Sequence, residues 1–138
     1  MTDATIVDTG PLVALLSRND THHRRCVEFF GSLTGTPLLP TTVLVEVCWL
    51  LENEPTAEAE FLDSVAAGAF KLLPLTKADL TRTAELVRQY ADFPLGTVDA
   101  SVIALAERLK LHEIITLDHR HFRAVRPRHI PAFTLLPS

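Results

Sequence analysis

The sequence predicts an α/β fold in which a central, mainly parallel sheet is flanked by helices, and three observations carry that expectation. Short apolar or β-branched runs at residues 4–8, 38–39, 70–75 and 114–117 alternate with longer stretches that carry helix start and stop signals. Strands separated by helices in this way pair in parallel and are covered on their faces. The chain has 138 residues, 47% hydrophobic and 22% charged, enough for one core and too few for two. No repeat, linker or low-complexity run divides it, so residues 1–138 are read as a single domain.

The first strand is expected over residues 4–8, where Thr5, Ile6 and Val7 favour a pleated chain. Thr9-Gly10-Pro11 breaks it and offers Pro11 as a first helical residue, with a helix over residues 12–16. Asn19-Asp20-Thr21 supplies a choice of caps for a second helix that carries Cys26, Val27, Phe29 and Phe30 and stops between Gly31 and Gly35. Leu38-Leu39 makes a brief second strand. Residues 43–51 suit a strand or a buried helix; Pro40 with Thr41-Thr42 reads as a start signal and favours the helix.

Pro55-Thr56 opens another helix through Ala66, residues 70–75 form a strand, and residues 76–90 a helix with Leu80, Ala84 and Val87 on one face. Pro94-Leu95-Gly96 interrupts the chain, and Thr97 caps a helix in which Val98, Ser101, Val102, Leu105 and Leu109 follow helical spacing. Residues 114–117 are a strand, and residues 133–136, among Pro127, Pro131 and Pro137, an edge strand.

Composition narrows function. No apolar run approaches the roughly 20 residues of a membrane-spanning helix, and the Met1-Thr2-Asp3 start lacks the features of a signal peptide, so a cytoplasmic protein is expected. Cys26 and Cys48 form no Cys-x-x-Cys unit and read as core thiols. The net charge of −4 argues against bulk coating of nucleic acid. Locally, Arg108, Lys110, Arg120, Arg123, Arg126 and Arg128 face only Glu113 and Asp118, with His112, His119 and His121 among them, a stretch able to hold an anion.

Four acids stand in unusual settings: Asp8 and Asp118 where strands end, Glu46 inside an apolar run, and Asp99 at a helix start. Open α/β sheets bind ligands at the carboxyl ends of their strands. Each acid also has a plainer role, since Asp8 can cap a helix, Asp118 can form an Asx turn and Asp99 suits the helix dipole. Glu46 is harder to explain, because an unpaired carboxylate among apolar residues costs several kcal/mol unless compensated. If the four converge, their repulsion becomes favourable only around a divalent cation. Oxygen ligands select magnesium or manganese over zinc.

These positions resemble the PIN-domain nucleases, and especially the bacterial VapC toxins, across nearly the whole chain. Ile6-Val7-Asp8-Thr9-Gly10-Pro11-Leu12-Val13-Ala14-Leu15-Leu16 is similar to the family's opening motif and residues 41–51 to its Glu-bearing helix. Val98-Asp99-Ala100-Ser101-Val102-Ile103-Ala104 resembles its third motif, and Thr116-Leu117-Asp118-His119-Arg120-His121-Phe122 its fourth. The resemblance implies a three-layer α/β/α sandwich and a magnesium-dependent endoribonuclease, with manganese able to substitute. It implies Asp8 and Asp99 as the principal metal ligands and Glu46 and Asp118 as the rest of the catalytic quartet, with Thr9 and Thr116 orienting them. It implies attack of an activated water on an RNA phosphodiester with no covalent enzyme intermediate. The partners it implies are an RNA substrate, a cognate antitoxin and a second copy of the chain.

Where some relatives carry a further acid after the fourth motif's Asp, this chain has His119 and His121. A zinc site on His119, His121 and Asp118 matches no closed zinc pattern. Two histidines acting as acid and base without metal would resist chelators. A phosphoacceptor domain would want paired acids after the first strand and a later Lys. A non-catalytic PIN-like domain that binds protein or RNA explains the fold without needing all four acids. Trp49, Leu50, Val13 and Leu16 are apolar enough to dock a partner, although core burial is expected of each.

Overall fold

The structure, a computed structural model, describes residues 4–138; the Met1-Thr2-Asp3 start read for a signal peptide lies outside them. Five short strands, β1 (Thr5–Val7), β2 (Leu38–Pro40), β3 (Lys71–Leu73), β4 (Glu113–Ile115) and β5 (Thr134–Leu136), form one sheet in the order β3-β2-β1-β4-β5. Every pairing among the described residues is parallel, with Ile6 opposite Leu38 on one side and Ile114 on the other. Between the strands run α1 (Thr9–Leu16), α2 (His23–Ser32), α3 (Thr41–Leu50), α4 (Pro55–Ala66), α5 (Lys77–Gln89), α6 (Thr97–Leu109) and α7 (His119–Ala124).

The chain moves outward from β1 to β2 and β3, then returns across β1 to β4 and β5. Right-handed crossovers therefore put α1 to α4 on one face and α5 to α7 on the other, giving the three-layer sandwich. The reversal also makes a switch point between β1 and β4, where the connections leave in opposite directions and open a crevice beyond the strand ends. Asp8 follows β1 and Asp118 stands three residues beyond β4, so both flank that crevice.

One continuous core fills the sandwich. Ile6, Val7, Leu39, Ile114 and Ile115 bring the strands into it, Leu12, Val43, Val47, Leu51 and Phe61 the first helical layer, and Leu86, Val102, Ile103 and Leu105 the second. Burial settles the ambiguity of residues 43–51: Val43, Val47 and Leu51 recur every four residues and are all fully buried, the spacing of a helix rather than of a strand. Seven consecutive residues of α6, Ala100 to Ala106, are buried, so this helix is enclosed on all sides instead of showing one stripe.

Several local expectations shift. α1 begins at Thr9 rather than residue 12, with Gly10 and Pro11 inside its first turn, where a missing amide costs nothing. Gly96, not Thr97, caps α6. In α5 the expected face is displaced: Leu80 is 54% exposed, and Asp79, Thr83 and Leu86 point inward because Asp79 joins a capping box with Thr76 and an ion pair with Arg108. Helix α7 has no counterpart in the sequence pattern. Cys26 and Cys48 are free thiols, the first buried. Val13 and Leu16 pack against the core as expected, whereas Trp49 and Leu50 are 66% and 55% exposed, because the buried stripe of α3 runs through Val43 and Val47. No helix among the described residues is long and apolar enough to cross a membrane.

Candidate metal centre

Asp8, Glu46, Asp99 and Asp118 all line one cleft of about 800 Å³ at the switch point, together with Thr9, Gly10, Asp20 and Thr97. Four separate elements deliver the four acids: Asp8 precedes α1, Glu46 sits in the middle of α3, Asp99 lies in the first turn of α6 and Asp118 caps α7. Asp20, read from the sequence only as a helix cap, also reaches the cleft, and its Oδ1 accepts from the His22 amide at 2.8 Å.

Asp8 is 4% exposed. Its amide donates to the Ile115 carbonyl at 2.8 Å, which continues the β1–β4 ladder and fixes the backbone at the strand end. The side chain makes no capping hydrogen bond to α1. Instead Oδ2 accepts from the buried Thr116 hydroxyl at 2.9 Å, and Oδ1 is buried with no partner among the described residues. The Thr9 hydroxyl is likewise buried without a partner. The same Thr116 oxygen accepts the Asp118 amide at 2.9 Å, so one hydroxyl ties the acid after β1 to the loop after β4.

Asp118 does cap: its Oδ1 accepts from the His121 amide at 3.2 Å. The imidazole of His121 also turns back onto it, with Nδ1 at 2.8 and 2.6 Å from the two carboxylate oxygens. One ligand atom each from Asp99, Asp118 and His121 lies within 4.8 Å of the other two. From the sequence His121 enters only a basic stretch and an unmatched zinc pattern; the signal that places it here is its position three residues after an N-cap, where side chains share a face. His119, its companion in the zinc reading, is not in that group.

The layers on either side of the crevice are fastened together just below the acids. Thr42 Oγ1 of α3 and Ser101 Oγ of α6 are 2.7 Å apart, and Ser101 also donates to the Val98 carbonyl at 2.6 Å. Thr42 lies one helical turn before Glu46, and Ser101 two residues after Asp99. The contact therefore joins the helix that carries Glu46 to the helix that carries Asp99.

The electrostatics follow from this crowding. Burial pushes the Asp8 carboxyl up from 3.8 to about 6; the adjacent Thr9 amide, which makes no capping hydrogen bond to it, and the Thr116 hydroxyl draw it part of the way down, while Glu46 and Asp118 push it up again. Burial likewise raises Asp99 to about 7, with repulsion from Asp8 and Asp118, an opposing pull from His121 and a weaker push from Glu46. Near neutrality Asp99 is therefore partly protonated and Asp8 mostly ionised against its neighbours, and a cation would displace the proton of the first and offset the charge of the second.

The basic stretch between Arg108 and Arg128 divides in the fold. Arg108 pairs with Asp79 at 2.9 Å and Arg128 with Glu85 at 3.0 Å, so these two serve the helix layer and not an anion. Arg120, Arg123 and Arg126 are exposed and have no ion-pair partner among the described residues.

A family model for the PIN domain matches residues 5–126. Over 134 residues, 96% of this chain and 99% of the other, the sequence is 31% identical to Ribonuclease VapC26 of Mycobacterium tuberculosis. Among solved structures it is similar to Mycobacterium tuberculosis VapC20, a sarcin-ricin loop cleaving toxin, with a TM-score of 0.81 at 17% identity, covering 93% of this chain and 99% of that one. It is also similar to a chain of a toxin-antitoxin complex from Klebsiella pneumoniae, with a TM-score of 0.70 at 19% identity, covering 95% and 99%.

Proposed function

The chain belongs to the PIN-domain family, among the VapC toxins, and from that premise we propose that it is a divalent-metal-dependent endoribonuclease, the toxin of a toxin-antitoxin pair. The observation that carries the reading is the buried, unpartnered Oδ1 of Asp8 in a cleft lined by three further carboxylates of the quartet. A buried polar oxygen left without a donor is costly, and raised carboxyls at Asp8 and Asp99 are a further cost of the same kind. Both costs fall away around a hard cation, so the residues present fit one. The quartet supplies oxygen, the donor that magnesium prefers and manganese also accepts.

Asp8 and Asp99 would hold the ion, with Glu46 and Asp118 completing the pocket directly or through water. When bound, the cation supplies Lewis acidity: it lowers the pKa of water and offsets negative charge at a phosphodiester. The protein's own part is placement. Thr116 occupies Oδ2 of Asp8 and leaves Oδ1 for the ion, His121 fixes the Asp118 carboxylate, and the Thr42–Ser101 contact ties the helix of Glu46 to the helix of Asp99. We propose further that residues 1–138 act as one domain in the cytoplasm, that the chain pairs with a second copy, and that a cognate antitoxin restrains it.

Purified protein should cleave labelled RNA with magnesium or manganese, stop in EDTA, and lose cleavage as Asp8→Asn. Cleavage that persists in EDTA or in that variant overturns the metal reading. RNA that stays intact in every condition favours a non-catalytic PIN-like binding domain.

A further inference from the structure

A pocket lined by five carboxylates, the quartet and Asp20, in a chain of net charge −4 repels the polyanion it is proposed to cut. Salt screens charges beyond about 8 Å, so attraction has to come from cations close to the cleft. Beside the acids stands a connected set of side chains. The ring of His121, whose Nδ1 holds Asp118, meets the ring of Phe93 edge to face at 4.9 Å between centroids. The guanidinium of Arg120 lies over Phe93, its carbon 5.4 Å from the ring centroid. Arg120 and Arg123 stand three residues apart on α7 and so share one side of it, and Arg126 follows the helix.

Among the described residues none of these three arginines has a carboxylate partner. Arg82, Arg108 and Arg128 all have carboxylate partners. Arg120, exposed and without a carboxylate partner among the described residues, is held by an aromatic face, which keeps the guanidinium in place without neutralising it. Phe93 comes from the turn between α5 and α6, next to Pro94, and packs against a histidine fixed by an acid of the cleft, so it gives Arg120 a defined position relative to that acid.

We infer that Arg120, set by Phe93 and assisted by Arg123, grips a backbone phosphate of the RNA strand beside the acidic cleft, so that the strand enters along α7. The inference rests on the ribonuclease reading above and names where that substrate is held. Arg120 is the contact to the strand, and Phe93 a positioning residue that acts through it.

The test is anisotropy of a fluorescein-labelled single-stranded RNA, titrated in EDTA over a series of salt concentrations, alongside cleavage in magnesium. Arg120→Ala should weaken binding about five- to tenfold and reduce the slope of log Kd against log salt by about 0.7, the share of one phosphate contact on a single strand. In cleavage it should raise KM and leave kcat within a few fold. Lys71→Ala is the control, since it removes the same charge from β3 at the opposite edge of the sheet. Phe93→Leu should weaken binding in the wild-type background and add nothing once Arg120 is Ala, the non-additivity expected of a residue that acts through another. If wild-type protein cleaves RNA but Arg120→Ala behaves like Lys71→Ala, the grip is wrong and the nuclease reading stands. If wild-type protein neither binds nor cleaves RNA, both fall.

Discussion

The two ends of helix α6 handle buried charge in opposite ways. At its C-terminal end Glu107 meets Arg82 at 2.7 Å, and the neighbouring Arg108 meets Asp79 at 2.9 Å. Burial raises the carboxyls of Asp79 and Glu107, yet the guanidiniums and hydrogen bonds around them more than reverse it and hold both below their ordinary values. At the N-terminal end Asp99 faces other carboxylates, and it and Asp8 are pushed up to about 7 and 6. Asp79 and Asp8 both have little accessible surface, 2% and 4%, but Asp79 lies in a shallower place beside the Arg108 guanidinium and Asp8 lies deep without one, and they move in opposite directions. Burial therefore does not mark a functional acid; burial without a compensating cation does.

The sharpest way to break that contrast is to make the paired end resemble the unpaired one. Arg108→Ala leaves Asp79 buried with only its capping contacts to Thr76, and removing one partner of a buried ion pair is strongly destabilising. We expect a loss of about 2–4 kcal/mol in urea unfolding, the same with magnesium as with EDTA, because this end of α6 has no part in metal binding. A loss below about 1 kcal/mol would show that the capping box alone satisfies Asp79.

The second prediction sets the two ends against each other through pH. Asp8 and Asp99 have raised carboxyls, so the folded, metal-free protein bears a cost while both are ionised, and the cost disappears as pH falls through about 7 and 6. Asp79 and Glu107 have lowered carboxyls, so their stabilisation is complete above the ordinary carboxylate range and is lost as pH falls through their depressed values. In EDTA the melting temperature should rise as pH drops from about 8 to about 5, by on the order of 2 kcal/mol in stability, and fall in stronger acid. Magnesium should flatten the upper arm and leave the acid arm unchanged. A curve that is flat between about pH 5 and pH 8 in EDTA would mean that the acids do not repel as placed.

The sequence made much of this geometry legible, through residues whose local role is fixed by type. Each strand was recognisable from its apolar run, and all four candidate acids, picked out as carboxylates at strand ends, in an apolar run and at a helix start, do line one cleft. What escaped depends on distant partners. Leu80 was read as an inward residue because its spacing to Ala84 and Val87 is helical, but the ion pair of Asp79 with Arg108, across 29 positions, rotates that face outward. The six residues of α7 carry two arginines among two histidines and too few apolar positions for any periodicity. The Thr42–Ser101 contact joins residues 59 positions apart, and no local pattern announces it. For the same reason the arginines near the C-terminus looked alike in sequence, although the fold pairs some with acids and leaves Arg120 against an aromatic ring.

The smallest expected effect is also the most discriminating, because its sign depends on the reading. Asp99→Asn removes one charge from the crowded end of α6 and keeps nearly the same shape. If Asp99 were simply a favourable acid in the first turn of a helix, losing it would cost about 0.3–1 kcal/mol. In the cleft the balance runs the other way, since Asp99 is held up by burial and by Asp8, Asp118 and Glu46, with only His121 pulling against them. The metal-free variant should therefore be more stable than the parent by about 0.5–1 kcal/mol near pH 8, with the gain shrinking toward about pH 5, where the parent's own Asp99 is protonated. Magnesium should reverse the order, stabilising the parent and not the variant, because a ligand that binds only the folded state raises its stability. A variant less stable than the parent in EDTA would return Asp99 to the role of a dipole-stabilising acid and remove it from the proposed metal site.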